Sequence, residues 1–165
     1  MTMTGRHQII AAGLIAGTAG GLAEIAWVSL YSALVGGNAA ILARGVTSAA
    51  GVTALLPASP VVLGIAVHMF LAAALGVALA GLWQALPGRL RQHVGPYPFA
   101  LAALAGVWAF NFFVVLPLVS PAFVHLVPYS VSLTSKLLFA VAAAACFRSF
   151  APASLARACT AASRA

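Results

Sequence analysis

Acidic side chains are almost absent from this chain of 165 residues, whose single carboxylate side chain is Glu24. Charged residues make up 5% of the sequence, whereas a soluble domain carries roughly 25%. One carboxylate cannot form the pair of acids used in general acid–base catalysis, and the chain has neither a G-x-S-x-G nucleophile motif nor a phosphate-binding glycine loop. The composition therefore argues against a soluble domain, and we expect no enzymatic activity.

Cysteines and clustered basic residues are also scarce. The two cysteines, Cys146 and Cys159, form no C-x-x-C motif, so they indicate unpaired thiols on a reducing side of the membrane. The net charge of +7 comes from basic residues scattered singly at the ends of apolar segments, which the positive-inside rule explains. Nucleic acid is therefore not an expected partner.

Long apolar runs dominate the rest of the chain. Hydrophobic residues make up 64% of it, and several runs exceed about 18 residues, the length that indicates a transmembrane helix. We therefore predict an all-α membrane protein, a four-transmembrane-helix up-down-up-down bundle. Residues 1–148 form its single domain, and residues 149–165 form a mobile cytoplasmic tail. The predicted spans cover residues 8–32, 61–86, 97–116 and 127–147.

The connection between the first two predicted spans is too long to lack structure in so compact a chain. Asn38 is a good N-cap for a short helix over residues 39–50, which we predict to lie in the membrane interface; an ordinary solvated connector is the alternative. If the N-terminus is cytoplasmic, every arginine except Arg44 lies on the cytoplasmic side, and Lys136 lies within the bilayer. Both termini are therefore predicted to be cytoplasmic.

Small residues recur at helical spacing on the first two predicted spans. The pattern on the first span is the one that lets two membrane helices approach closely, and Glu24 falls on the same face. The pattern on the second span has a spacing of four, and His68 completes it. We therefore predict that Glu24 faces a neighbouring helix and not lipid. The glycines that define these helix-packing faces are Gly13, Gly17 and Gly21 on the first span and Gly64 and Gly76 on the second.

One polar side chain on each predicted span lies at a common depth. These side chains are Glu24, His68, Asn111 and Lys136. A rise of ~1.5 Å per residue places each of them about 10 to 13 Å below the outer surface. An isolated charge at that depth costs several kcal/mol, and Lys136 is the only cation that can reach Glu24 within the hydrocarbon. We predict a Glu24–Lys136 ion pair whose hydrogen bonding His68 and Asn111 complete.

Each of these residues also has a purely structural interpretation. A buried ion pair can fix the helix register without further function, and Lys136 can instead extend its ammonium to the outer interface. His68 is more often a satisfied interior histidine than a proton relay or a metal ligand. Asn111 is most often an interhelical hydrogen-bonding residue.

Three further polar residues lie near the outer end of the fourth span. Tyr129 and Ser132 form a polar stripe with Lys136, because the three are spaced by three and four residues. His125, in the preceding turn, is an interfacial polar residue; a cation site shared with His68 and the acid of the first span is a weaker interpretation. The two histidines differ in depth by about ten Å, too far for a shared haem. We predict no metal site and no cofactor.

Three segments carry a resemblance to known proteins: Asn111-Phe-Phe-Val-Val-Leu-Pro-Leu, Pro121-Ala-Phe-Val-His-Leu-Val-Pro-Tyr129 and Ala66-Val-His-Met-Phe70. Together they resemble a group of small, uncharacterised four-span bacterial inner-membrane proteins that are sometimes labelled transporter-like. The resemblance covers most of the chain and implies four helices in a bacterial inner membrane. It carries over no catalytic residue.

These features favour a small polytopic inner-membrane protein whose polar cluster binds or relays a proton or small cation, as an oligomeric transporter or channel. The alternative is a non-catalytic accessory or scaffold subunit of a larger membrane complex, in which the cluster only locks the bundle. A single four-helix unit is small for alternating access, so we expect self-association or a membrane-protein partner in the bilayer.

Overall fold

A computed structural model describes residues 3–150, and it describes the side chains of residues 6–149. The described part of the chain is almost entirely helical and contains no strand. The predicted tail, 149–165, lies outside the described residues apart from its first two positions. The helices in chain order are α1 (Met3–Leu34), α2 (Ala39–Ala49), α3 (Pro60–Ala85), α4 (Gly88–Val94), α5 (Pro96–Phe110), a π-helical turn (Asn111–Val115), α6 (Leu116–Val119), α7 (Pro121–Val124) and α8 (Tyr129–Phe150).

Among the residues that the structure describes, four helical segments are long and apolar enough to cross a membrane. They are α1, α3, α8 and the continuous segment Pro96–Val119, which joins α5 to α6 through the π-helical turn. Prolines begin two of them, because Pro60 and Pro96 occupy first-turn positions where no backbone N–H is needed. At the end of α1, Gly36 adopts a φ of 68°, and the Gly37 N–H donates to the Ser32 carbonyl over 2.7 Å.

The third long segment extends further than its predicted end at residue 116. It continues through the π-helical turn, in which the Leu116 N–H donates to the Asn111 carbonyl, and then through α6. The wider turn directly precedes Pro117, whose ring would otherwise press on the carbonyl four residues earlier. The general rule that a proline ends a helix therefore places the end of this span too early.

The central helix of the bundle is α1, which packs against both α3 and α8. The helix α5 packs mainly against α8. The contacting residue numbers rise along one helix and fall along the other, so neighbouring long helices are antiparallel. These pairs are Gly13–Val77 and Gly21–Met69 for α1 with α3, Gly20–Phe139 and Trp27–Val131 for α1 with α8, and Tyr97–Arg148 and Trp108–Ser132 for α5 with α8.

Large apolar side chains cover the outside of this bundle. In water such a surface would drive aggregation, whereas in lipid it faces chains of the same polarity. The core between the helices is built largely from small residues and a few large ones, such as the fully buried Leu104 and Phe139. The outside is therefore typical of helices that face lipid. Outward residues that are more than half exposed include Leu22, Leu30, Phe70, Leu71 and Phe110.

The short helix α2 occupies the connection between α1 and α3. The Asn38 side chain caps it by accepting a hydrogen bond of 2.9 Å from the Ala40 backbone N–H. Thr47 of α2 is buried, and its hydroxyl donates to the carbonyl of Pro60, 2.6 Å away, at the start of α3. Gly64 of α3 lies directly against the Ala43 carbonyl of α2, so the two helices are in close contact.

Candidate functional site

Two adjacent glycines of α1 bring three helices together next to Glu24. A Cβ added to Gly20 would stand 2.5 Å from Cγ of Phe139 on α8, and a Cβ added to Gly21 would stand 2.8 Å from Cβ of Ala72 on α3. Only glycine permits both approaches at one level of a helix. Glu24 follows one turn later and is 4% exposed, so its carboxylate lies between α3 and α8 as predicted.

The carboxylate of Glu24 is bound from α8. The Lys136 ammonium lies 2.7 Å from Oε1, the length of a strong charge-assisted hydrogen bond, and the Ser135 hydroxyl donates to the same oxygen over 3.3 Å. The ammonium also lies 5.5 Å from the centre of the Phe139 ring, within cation–π distance. The predicted Glu24–Lys136 pair is therefore present, and the pair is electrically neutral.

His68 reaches the same carboxylate from α3. Its Nε2 lies 3.7 Å from Oε2 of Glu24 and 3.4 Å from the carbonyl oxygen of Gly21. Both distances exceed the 2.7 to 3.2 Å of a well-formed N–H···O bond. A shift of less than about 1 Å would complete either hydrogen bond, so the imidazole adjoins the ion pair without being locked to it.

Asn111, the fourth predicted member of the cluster, is not brought to Glu24. It opens the π-helical turn of the third span, and that span packs on α8 rather than on α1. The depth predicted for it along its helix is close to that of Lys136, but the helix stands elsewhere in the bundle. The described cluster therefore contains three of the four predicted residues, with Ser135 added.

The residues of the polar stripe predicted on α8 contact two different helices: Lys136 contacts α1, and Tyr129 and Ser132 contact α5. Ser132 accepts a 3.0 Å hydrogen bond from the Trp108 indole and donates to the Tyr129 carbonyl, so it joins α8 to α5. Tyr129 lies in a group of aromatic rings with Trp108 at that interface. His125 is exposed in the turn before α8 and has no described contact with the Glu24 cluster.

The predicted helix-packing glycines lie at two different contacts. Gly13, Gly17, Gly21 and Gly76 form the close contact between α1 and α3, where an added Cβ at Gly76 would stand 2.5 Å from Cα of Gly17. Gly64 instead packs on α2. The spacing of four on α3 therefore serves two partners along one helix.

Two residues at the site were not identified from the sequence. Ser135 belongs to a series spaced by four along α8, with Val131, Phe139 and Ala143, and every member is buried. That spacing is the signal that could have identified Ser135. The Trp27 indole donates a 3.0 Å hydrogen bond to the Val131 carbonyl, one turn from Glu24, and no sequence pattern indicates this contact.

The chemistry available at the site is that of one carboxylate, one ammonium, one imidazole and one hydroxyl. Within residues 6–149 no group of three or more histidine, cysteine or acidic side chains is placed to hold a metal ion. The fold and site define a membrane-type helical bundle with one buried acid paired to a lysine. Comparison with protein-family models, curated proteins and solved structures finds no match to this chain.

Proposed function

We propose that this protein is a small polytopic protein of the bacterial inner membrane whose Glu24 cluster binds or relays a proton. Its four long helices cross the membrane up, down, up and down, with both termini in the cytoplasm and α2 in the outer interface. The antiparallel packing supports this orientation, because it gathers Arg6, Arg89, Arg91 and Arg148 at one end of the bundle, with Arg44 towards the other.

The observation that carries the proposal is the Glu24–Lys136 pair with a histidine beside it. The charges of Glu24 and Lys136, 2.7 Å apart, cancel, so the pair has no net charge. One added proton therefore gives the cluster a positive charge, and no second ion is needed. His68 lies 3.7 Å from the free carboxylate oxygen, and histidine is the side chain suited to gaining and losing protons near neutral pH. A polar group at this depth is a functional-site candidate by default.

A small cation is a weaker candidate than a proton as the ligand of this cluster. The ammonium of Lys136 already occupies the position beside Oε1 that a cation would take, so a cation would first have to displace it. The remaining donors are one carboxylate oxygen, one imidazole nitrogen and the Gly21 carbonyl. A proton needs no such displacement, because it can add to the imidazole where it stands.

Transport of protons would require more than one copy or a partner protein. One bundle of four helices is small for alternating access. The side chains of His68 and Lys136 remain 27% and 22% exposed, and inside a membrane that polar surface is best covered by protein or water. We propose that the working form is an oligomer or a complex with another membrane protein.

The second candidate function is a scaffold or accessory subunit. It is favoured by the fact that the cluster ties together α1, α3 and α8, which is what a purely structural ion pair does. In that case the polar residues fix helix register, and a partner complex performs the chemistry.

The two functions differ in the effect of Glu24→Gln on proton movement. Purified protein is reconstituted in vesicles with a trapped pH-sensitive dye, and lumenal pH is followed after a pH step. We expect wild-type protein to speed equilibration, and Glu24→Gln to equilibrate like protein-free vesicles. The double variant Glu24→Gln, Lys136→Gln keeps the charge balanced and provides a second test if the single variant unfolds.

Asn111→Leu is the matched control, because Asn111 is a polar residue of a membrane span that lies outside the described cluster. It should retain the flux of the wild type. Flux that survives in both Glu24 variants, or wild-type vesicles that equilibrate no faster than empty ones, would contradict the proton function and favour the scaffold.

A further inference from the structure

A cavity of about 220 Å³ lies beside the contact between α1 and α8, at the end of the bundle where α1 ends and α8 begins. Its walls come from the last turns of α1, from α2 and from the turn that precedes α8. Tyr31 and Ser32 line it and carry hydroxyl groups that can bind water. Its volume holds several water molecules.

The cavity and the Glu24 cluster lie along the same pair of facing helix surfaces, one on α1 and one on α8. The cavity is nearer to the end of α1 and the start of α8. Residues spaced by four share one face of a helix, and each step of four rises about 6 Å. On α1 the series is Ser32, Val28 and Glu24, in which the first two residues line the cavity and the last is the acid itself. On α8 the series is Val131 and Ser135, and Ser135 donates to Glu24. The cavity-lining Val127 precedes Val131 by four residues and lies in the turn before α8.

A single apolar turn separates the cavity from the carboxylate. Val28, which lines the cavity, lies one turn from Glu24, and Val131 is buried opposite it. The indole N–H of Trp27 donates to the Val131 carbonyl over 3.0 Å, so this hydrogen bond holds α1 against α8 at the apolar turn. The barrier to water is therefore about 6 Å thick, one turn of helix.

We propose that this cavity is the water-filled outer vestibule of the Glu24 cluster, and that protons reach the cluster through the Val28/Val131 turn when the Trp27 contact loosens. The proposal rests on the proposed function, and it adds the route and its closing element. Water in the cavity supplies the proton, and the Glu24 carboxylate and the His68 imidazole beside it are the groups that receive it. Water and protons are the only ligands that this route requires.

Cysteine accessibility tests the vestibule without any measurement of transport. Both native thiols are removed by Cys146→Ser and Cys159→Ser, and one cysteine is then added at a time. Ser32→Cys lies in the cavity, whereas the control Ser29→Cys faces outward from the same helix. A charged, membrane-impermeant methanethiosulfonate applied from the outer face should modify Ser32→Cys at least roughly tenfold faster, because a thiol in lipid stays protonated and unreactive.

Two additional variants make the experiment independent of any one substitution. Val127→Cys lines the opposite wall and should react like Ser32→Cys, even if Ser32→Cys fails to fold. Val131→Cys, at the buried apolar turn, should react slowly, and adding Trp27→Phe should raise its rate, since phenylalanine keeps the ring but removes the N–H donor to the Val131 backbone carbonyl.

The possible results separate the vestibule from the function on which it rests. Cavity cysteines that react no faster than Ser29→Cys, or that react only from the inner face, would overturn the vestibule, and Glu24-dependent proton flux would then still support the function. Reactive cavity cysteines in a protein without Glu24-dependent flux would leave a water-filled cavity and refute its role in proton access. An unchanged rate at Val131→Cys after Trp27→Phe would refute Trp27 as the closing element.

Discussion

Substituting Gly76 by alanine tests whether the α1/α3 contact is as close as the structure shows. A Cβ added to Gly76 would stand 2.5 Å from both Cα and N of Gly17, and against the carbonyl of Gly13. Non-bonded carbons rest at about 3.5 to 4.0 Å, so the two helices would have to separate by roughly 1 Å. That separation would spread along the contact, because the neighbouring glycines leave no flexible side chain to absorb it.

The expected cost follows from two opposing effects. Overpacking of a close contact typically costs about 1 to 3 kcal/mol, while replacing glycine by alanine within a helix gains roughly 0.5 to 1 kcal/mol. Gly81→Ala is the matched control on the same helix, since its added Cβ would meet no atom within 4 Å. We expect Gly76→Ala to lower the free energy of unfolding by about 1 to 2 kcal/mol, and Gly81→Ala to leave it unchanged or raise it.

The assay is reversible unfolding in mixed micelles, followed by far-ultraviolet circular dichroism, for both variants and the wild type. Because α3 carries His68 and α8 carries Lys136, the separation should lengthen the His68–Glu24 distance and leave the Glu24–Lys136 pair intact. Equal stability of Gly76→Ala and Gly81→Ala would refute the close α1/α3 contact and, with it, the position of His68 beside the carboxylate.

Two stability predictions concern the buried polar contacts. Lys136→Gln should lower the free energy of unfolding by about 3 kcal/mol, because it leaves the buried Glu24 carboxylate unpaired, and Glu24→Gln should cost less, because the Lys136 side chain is 22% exposed; the double variant should lose clearly less than the sum. A double-mutant cycle measures this, and a coupling energy near zero would contradict the ion pair. Thr47→Val should cost about 1 kcal/mol by removing the hydroxyl that joins α2 to α3, whereas Ser48→Ala, at an exposed position, should be neutral; equal effects would contradict that hydrogen bond.

The extent of the long helices could be predicted closely from the sequence. Apolar runs of bilayer length, bounded by Pro60, Pro96 and the glycines after α1, allow few other structures because a membrane requires every backbone group to be paired within a helix. The ends differ: α1 begins at Met3 and not at residue 8, α8 begins at Tyr129 and not at residue 127, and the third segment passes Pro117 by widening one turn. A local rule for proline contains no information about a π-helical turn.

The candidate site was predictable only where elimination sufficed. Glu24 and Lys136 are the sole acid and the sole lysine of the spans, so the cost of burying either charge alone pairs them. Asn111 shares their predicted depth, but depth along a helix does not specify which neighbour that helix packs against. Ser135 could have been assigned to the face of α8 that Val131 and Phe139 share, but only the packing of that face on α1 shows that it meets the acid.

The sequence by itself determined that the chain forms four membrane-length helices and that its one acid must be neutralised by its one lysine, because both follow from the free energy of placing backbone and charge in hydrocarbon. The tertiary structure alone decided that α1 packs against both α3 and α8, that His68 approaches the pair from α3, and that a cavity lies one helical turn from Glu24. Lateral order and rotation depend on side-chain packing between helices distant in the chain, such as Gly20 on Phe139, and no periodicity within one helix encodes them.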